Sequence, residues 1–457
     1  MQLEHEHAHE RNRFAVIPTP EKLGVDAGLT GRGVTIAFLD SGFYPHPDIV
    51  DRVVAFHDIY GAEADLKRIE TPDGHHWHGT QTVVACAGDG ALSDGVYRGL
   101  ASDAKLVLVK VSDHGRISDE SIEKGLDWII ANREEYEIKI LNMSLGGDTD
   151  VPTSESRINQ LTEQLVAAGV VVTVAAGNSA ETFSIPPANS PSVITVGGYS
   201  DENQFQKERY DLYHSSFGET ADGLIKPELI APAMYVAAPI LPGTKDYAEA
   251  ERFALLATQP DYALPSEHDR VSVEQELRRR KIVATHYQHV DGTSFAAPIT
   301  ASVAALMREA NPDLTPAAIK NILISTATRL AGHSQIRQGF GVLNASLAIK
   351  LAAKETHMLN DETFFPPRIE SDQIRFCFHE DAATNVALCG DFNGWSEDAH
   401  PFARNSDGIW HASIPCQGAG TFRYKFLVDG KRWIEDPSHG LKQDDGLGGL
   451  NSLLIVE

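Results

Sequence analysis

Cysteine, basic charge and long apolar runs are all scarce in this chain, and each scarcity excludes something. Only four cysteines (Cys86, Cys377, Cys389 and Cys416) occur in 457 residues, with neither paired zinc-type spacing nor a dense disulfide pattern. They read as reduced, mostly buried thiols of a cytoplasmic protein. Lys and Arg number 39 against 64 Asp and Glu, a formal net charge of -25. Nothing in such a balance offsets phosphate repulsion, so nucleic acid is excluded as the main partner. The longest apolar run, around Leu165 to Ala176, is interrupted by Gly169 and is too short to span a bilayer, so no membrane partner is expected. The opening MQLEHEHAHERNR lacks the apolar stretch of a secretory signal. Residues 1–13 read as a disordered, solvated tail, His5, His7 and His9 included.

What is present is a long alternation. Val34 to Leu39, Leu106 to Val111, Ile138 to Met143, Val170 to Ala175 and Val193 to Val196 read as buried strands. Between them, Asp119 to Asn132 and Glu155 to Ala168 carry helical spacing. Strand and helix in repetition imply an α/β fold, a doubly wound and mostly parallel sheet, over residues 14–352. Chemistry in such sheets gathers at the carboxyl ends of the strands. Residues 241–289 interrupt the rhythm with a charged insertion and two helical patterns, Asp246 to Ala257 and Ser272 to Arg280. A lid and a solvated decoration both fit it. Residues 353–368 read as a linker, and 369–457 as a smaller all-β sandwich of short strands punctuated by turns such as Asp391-Phe392-Asn393-Gly394.

The stretch Val290-Asp291-Gly292-Thr293-Ser294-Phe295-Ala296-Ala297-Pro298 poses the functional question. Ser294 is either a nucleophile or only the start of a tightly packed helix. A serine hydroxyl needs a base, and the imidazole base needs a carboxylate to fix its tautomer. Asp40 at a strand end and His78 opening a helix supply both. Asn178, at a further strand end, offers a carboxamide donor for an oxyanion.

Here the chain resembles a family. Asp40-Ser41-Gly42, His78-Gly79-Thr80, Ala175-Ala176-Gly177-Asn178 and Gly292-Thr293-Ser294-Phe295-Ala296-Ala297-Pro298 resemble the motifs of subtilisin-like serine peptidases, over about residues 14–350. The resemblance implies a serine endopeptidase acting on protein or peptide. Asp40 would be the orienter, His78 the general base and acid, and Ser294 the nucleophile. Asn178 with the Ser294 N–H would form the oxyanion hole. It also implies that Ser144, Leu145 and Gly146 form the edge on which an extended peptide pairs, while Ala176 and Gly177 border the primary pocket with Phe183 to Pro186. His114-Gly115-Arg116 would be the opposing edge. No cofactor is needed for that chemistry. Structural calcium is left open: Asp48 matches one familiar ligand position, yet the loop from Gly88 to Gly95 lacks the usual asparagine-rich sequence. Other departures are Gln81-Thr82-Val83-Val84 in place of the usual second histidine and glycine, and Phe295 in place of methionine. The residues before Phe14 are too few for the family's folding propeptide, so an intracellular form is expected.

The last segment carries Gly390-Asp391-Phe392-Asn393-Gly394-Trp395, Tyr424 to Gly430, Trp433 to Pro437 and Asn451. Tryptophans flanked by Lys and Asn suit a sugar face, and equally a sandwich core. The order resembles glycogen-binding modules of AMP-activated kinase β-subunits and debranching enzymes. This implies α-glucan contacts at Trp395, Lys425, Trp433 and Asn451. Two alternatives stay open: a latent or inactive scaffold whose insertion blocks the cleft, and a β-module that docks protein instead of sugar.

Overall fold

The computed structural model describes residues 16–354 and 367–456, apart from 26–27, 62–64, 148–150, 181–184, 258–266, 371–372, 381, 406–407, 419, 440–441 and 448. The expected tail at 1–13 and most of the linker lie outside the described residues.

The larger unit is built on strands β1 (Thr35–Asp40), β2 (Val53–Asp58), β3 (Lys105–Lys110), β4 (Ile138–Met143), β5 (Val171–Ala175), β6 (Ile194–Ser200), β7 (Asp211–Leu212) and β8 (Leu229–Pro232). They pair in the order β8-β6-β5-β4-β1-β3-β2, all parallel, with β7 antiparallel on β6. The continuous apolar runs follow from burial on both faces. Ile36 and Phe38 face one layer, with α1 (His76–Ala87) and the long α6 (Thr293–Ala310). Ala37 and Leu39 face the other, with α2 (Asp119–Asn132) and α3 (Arg157–Ala167). α2 starts where expected because Ser118 and Ser121 cap each other. α6 is rich in alanine, which lets it pack closely against α1 and strands β4, β5, β6 and β8 while almost wholly buried.

In its described residues the insertion is a helical hairpin with a small core of its own. Helices α4 (Lys245–Ala257) and α5 (Glu267–Arg279) enclose Ala250, Val273, Leu277 and Ile282. α5 begins five residues before the expected Ser272. The hairpin stands on a three-stranded ribbon of β9 (Val236–Pro239), β10 (Ile282–Ala284) and β11 (Tyr287–Val290), in the order β9-β11-β10. β11 leads directly into the Ser294 turn, as the insertion's place just before that stretch in the sequence implies.

The smaller unit is a two-sheet sandwich. One sheet pairs β12 (Arg368–Glu370), β13 (Gln373–His379), β16 (Ile409–Pro415) and β15 (Ala403–Arg404). The other pairs β14 (Val386–Gly390), β17 (Gly420–Val428), β20 (Leu450–Val456) and β19 (Lys442–Asp444), with β18 (Arg432–Ile434) on β17. Its core gathers Phe376, Phe378, Trp410, Tyr424, Phe426 and Leu454.

Candidate active site

Five chain segments converge at the carboxyl end of the parallel sheet. Asp40 ends β1 and is buried, and its Oδ1 lies 2.8 Å from Nδ1 of His78 in the first turn of α1. The Asp40 carboxylate also accepts the Ser41 N–H at 2.6 Å and the Thr82 hydroxyl at 3.3 Å. α1 can approach this closely because Gly79 has no side chain: a Cβ there would sit 2.3 Å from the Gly42 carbonyl oxygen. Burial by itself would lower the His78 imidazole, but the Asp40 charge and hydrogen bond outweigh it, and the net shift is upward.

His78, Asn178 and Ser294 line one cleft. Ser294 is the second residue of α6, and the first N–H groups of a helix have no intrahelical acceptor. The Asn178 carboxamide is oriented by its oxygen, which accepts the Thr293 N–H at 2.9 Å and the Thr293 hydroxyl at 3.0 Å. Its NH2 group is thereby left as the end free to donate. Gly177, beside it, takes φ +102°, and a Cβ would fall 2.6 Å from Ser216 Oγ.

The expected peptide edge lies past the end of β4. Leu145 is half-buried and Gly146 exposed, facing Ile185 and Pro186. Ser144 points inward, not toward a peptide: its hydroxyl donates to the Ser294 carbonyl at 2.8 Å and accepts from Asn142 at 3.1 Å. Only the backbone of Ser144 is therefore left for substrate. His114 and Arg116 belong to a tight turn closed by the Asp113–Arg116 bridge, with His114 at φ +46°. Phe183 and Ser184 lie outside the described residues.

Asp48 does not fit a calcium ligand. Its buried carboxylate accepts the Tyr287 hydroxyl at 2.7 Å and the Leu92 N–H at 3.4 Å, and burial pushes its pKa up to about 6. A calcium ligand should be joined by several converging oxygens, whereas this carboxylate is already committed to the two donors from Tyr287 and Leu92. Among the described residues, no group of three or more His, Cys, Asp or Glu side chains is placed to hold a metal.

In the β-sandwich, strand alternation sorts the aromatic residues. Tyr424, Phe426 and Val428 of β17 enter the core, so Lys425 and Leu427 lie on the outer face. Trp433 is opposite Leu427, and Asn451 alternates outward from Ser452 and Leu454. Trp395 packs on Ala387, Cys389 and Leu427 of the same face, 6.2 Å from the Trp433 ring. All four expected glucan residues thus share one face, while Trp410 is the tryptophan of the core. Trp433 is 43% exposed, whereas Asn451 is only 6% exposed. Lys425 is engaged with Asp445 at 2.5 Å.

A model of the subtilase family matches residues 31–342. The chain belongs to that family. A second model, carbohydrate-binding module 48 (isoamylase N-terminal domain), matches residues 364–443. The subtilase is 32% identical over 333 residues to serine protease AprX of Bacillus subtilis (strain 168), covering 70% of this chain and 67% of that one. It is 29% identical over 325 residues to subtilisin BL of Lederbergia lenta, covering 71% and 93%. Among solved structures, fervidolysin from Fervidobacterium pennivorans, a keratinolytic enzyme related to subtilisin, aligns with TM-score 0.54 and 18% identity. That alignment covers 89% of this chain and 54% of the other. A protease from Pseudoalteromonas arctica aligns with TM-score 0.51 and 23% identity, covering 74% and 93%. The family and its serine protease relatives make this chain a subtilisin-like serine peptidase with a carbohydrate-binding module, and subtilase catalysis needs no cofactor.

Several supporting residues of the subtilase escaped sequence reasoning. Thr293 aims Asn178, Asn142 and Ser144 hold the Ser294 carbonyl, and Thr82 bonds Asp40. The signal for Thr293 was its place in the serine motif; Asn142 carried none. In the carbohydrate-binding module, buried Asp436 accepts from Tyr424 at 2.7 Å and from Ser438 at 2.6 Å, anchoring the segment after Trp433. Leu447 is 92% exposed in a loop whose N–H groups at Leu447 and Gly449 both bond Asp445.

Proposed function

We propose that the subtilase is an endopeptidase in which Asp40, His78 and Ser294 act as the triad and the carbohydrate-binding module tethers it to an α-glucan such as glycogen. The observation that carries this is the 2.8 Å Asp40–His78 contact, with His78, Asn178 and Ser294 lining one cleft. Ser294 Oγ attacks the peptide carbonyl while His78 Nε2 takes its proton. The resulting oxyanion receives hydrogen bonds from the Asn178 NH2 and the Ser294 N–H. Collapse breaks the C–N bond, and His78 hands its proton to the departing amine. Water, activated by the same imidazole, then hydrolyses the acyl-enzyme. The peptide's acyl side pairs with the backbone of Ser144 to Gly146, beside Ala176 and Gly177.

The glucan part of the reading is supported by the common outer face of Trp395, Lys425, Trp433 and Asn451, with the exposed Leu447 tied by its N–H to Asp445, the partner of Lys425. An aromatic pair offers apolar area to sugar rings. A cytoplasmic site belongs to the same reading, because no disulfide joins any two of the four cysteines. Protein substrates on glucan particles follow from tethering. The test is co-sedimentation with glycogen alongside cleavage of a peptide library. The reading expects glycogen binding that Trp433→Ala weakens by about ten-fold or more and cleavage that Ser294→Ala abolishes. Sedimentation unchanged in Trp433→Ala, or cleavage surviving in Ser294→Ala, contradicts the respective half.

A further inference from the structure

The cleft that His78, Asn178 and Ser294 share has a volume of about 350 Å³ and is also walled by Trp77, Gln81, Lys281, His289 and Phe295. None of the Ser144–Gly146 edge residues lines it. With the acyl half of a peptide on that edge, the departing half must leave through this cleft.

Gln81 is its most informative wall. One turn after His78 on α1, it is 2% exposed, and its Nε2 donates to the Pro239 carbonyl at 2.9 Å at the root of the insertion. That bond fixes the carboxamide and leaves Oε1 as a buried acceptor with no hydrogen-bond partner among the described residues. Buried acceptors are ordinarily satisfied, and one left open in a substrate cleft is a vacancy for a donor that arrives with a ligand. Across the cleft, on β11, Nδ1 of His289 is buried 3.7 Å from Asp291 Oδ1. Lys281 is the nearby cation, but its ammonium is paired with Asp291, so it offers no free charge to an anion. Trp77 is 48% exposed and meets the His78 ring edge-on at 5.3 Å, giving the cleft an apolar wall for methylene groups.

We propose that this cleft is a specificity subsite for the residue immediately after the scissile bond, and that Gln81 selects there a neutral side chain carrying a hydrogen-bond donor, glutamine or asparagine above all. An aliphatic side chain leaves Oε1 unfilled. A carboxylate sets an anionic oxygen against it and beside Asp291. A site built around a polar group rejects the analogue that lacks the matching one. The subsite is specific to this chain in two respects: Gln81 stands where the family's motif has histidine, and Lys281 and His289 come from the insertion and its ribbon. The proposal rests on Ser294 being the nucleophile.

The test compares peptides identical except for Gln, Leu or Glu after the cleaved bond. The readout is the ratio of kcat/KM within one enzyme preparation, which general damage to the site does not move. Wild type is expected to favour Gln over Leu by about 5-fold, as for one neutral hydrogen bond, and over Glu by more. In Gln81→Leu the Gln/Leu ratio falls to about one or below, on the same expectation of a single lost bond. A flat ratio in wild type, or a preference that persists in Gln81→Leu, overturns the proposal. Should the variant fail to fold, the wild-type ratio alone decides. If no peptide is turned over, the reading of Ser294 fails separately. Calorimetric binding of leaving-group tripeptides beginning with Gln or Leu then decides the subsite: tighter Gln supports it and equal affinity overturns it.

Discussion

The Ser144 hydroxyl donates to the Ser294 carbonyl at 2.8 Å, and the reason lies four residues further along α6. Pro298 has no N–H to offer that carbonyl, so the helix cannot satisfy it internally. Ser144→Ala is expected to leave a buried acceptor open, at a cost of about 1–3 kcal/mol in stability. Because the same bond holds the nucleophile's backbone, kcat falls and KM changes little. Denaturant unfolding and steady-state kinetics on one preparation check both, and an unaltered kcat removes Ser144 from the positioning network.

Asn178 is held through its oxygen by Thr293, so its NH2 is the end left to donate, and the proposed oxyanion role falls to it. Asn178→Asp keeps that oxygen and replaces the donor. The expected outcome is a loss of about a hundred- to a thousand-fold in kcat with a near-constant KM. A wild-type kcat in the variant contradicts the oxyanion role.

The pH profile follows from His78. Its pKa is raised above the ordinary 6.5, with burial opposing and Asp40 prevailing. The base must be neutral, so kcat/KM should fall as pH drops through a value above 6.5. In Asp40→Asn the raising influence is gone, and the limb moves to lower pH as the rate drops. The stability linkage runs the other way. The charged pair stabilises the fold below the unfolded pKa of His78, and the contribution is lost as pH rises through the folded one.

These features were unequally legible in the sequence. β1, β4 and β5 were readable because strands buried on both faces are continuously apolar, and the motifs ending β1, following β5 and opening α1 and α6 singled out Asp40, Asn178, His78 and Ser294 as candidates. Ser144 read as a substrate contact because the demand of the Ser294 carbonyl depends on Pro298 lying one helical turn away in a folded α6. Tyr287 gave no sign of its bond to Asp48, since the two are brought together only when β11 docks. The insertion's charge left a lid and a solvated decoration equally open, while its apolar residues are spaced for a private core and its exit strand borders the cleft. In the carbohydrate-binding module, the alternation from Tyr424 to Val428 was enough to put Lys425 outside. The engagement of Lys425 by Asp445 was not readable.

Asp48 gives a prediction about calcium and one about pH. Its pKa is raised from 3.8 to about 6, so the ionisation penalty accrues between those values as pH rises. Asp48→Asn keeps an acceptor for Tyr287 and removes the charge. Relative to wild type, the variant should gain about 3 kcal/mol between pH 4 and pH 7. Chelator should leave the wild-type unfolding midpoint in place; a midpoint that climbs with added calcium contradicts this.

Trp433 and Trp395 should behave differently. Trp433 is 43% exposed, so Trp433→Ala is expected to weaken glycogen binding by about ten-fold or more while leaving Tm nearly unchanged. Trp395 also covers Ala387, Cys389 and Leu427, and Trp395→Ala should lower both affinity and Tm. Affinity sedimentation and thermal melts of both variants check the contrast.

The central claim is that Ser294 is an activated, accessible nucleophile. Intact-mass measurement after treatment with a fluorophosphonate probe tests it most directly. The account predicts one adduct per chain in wild type, none in Ser294→Ala, and slow labelling in Asp40→Asn. A well-folded wild-type protein that takes no label, or a Ser294→Ala variant that takes as much as wild type, contradicts it.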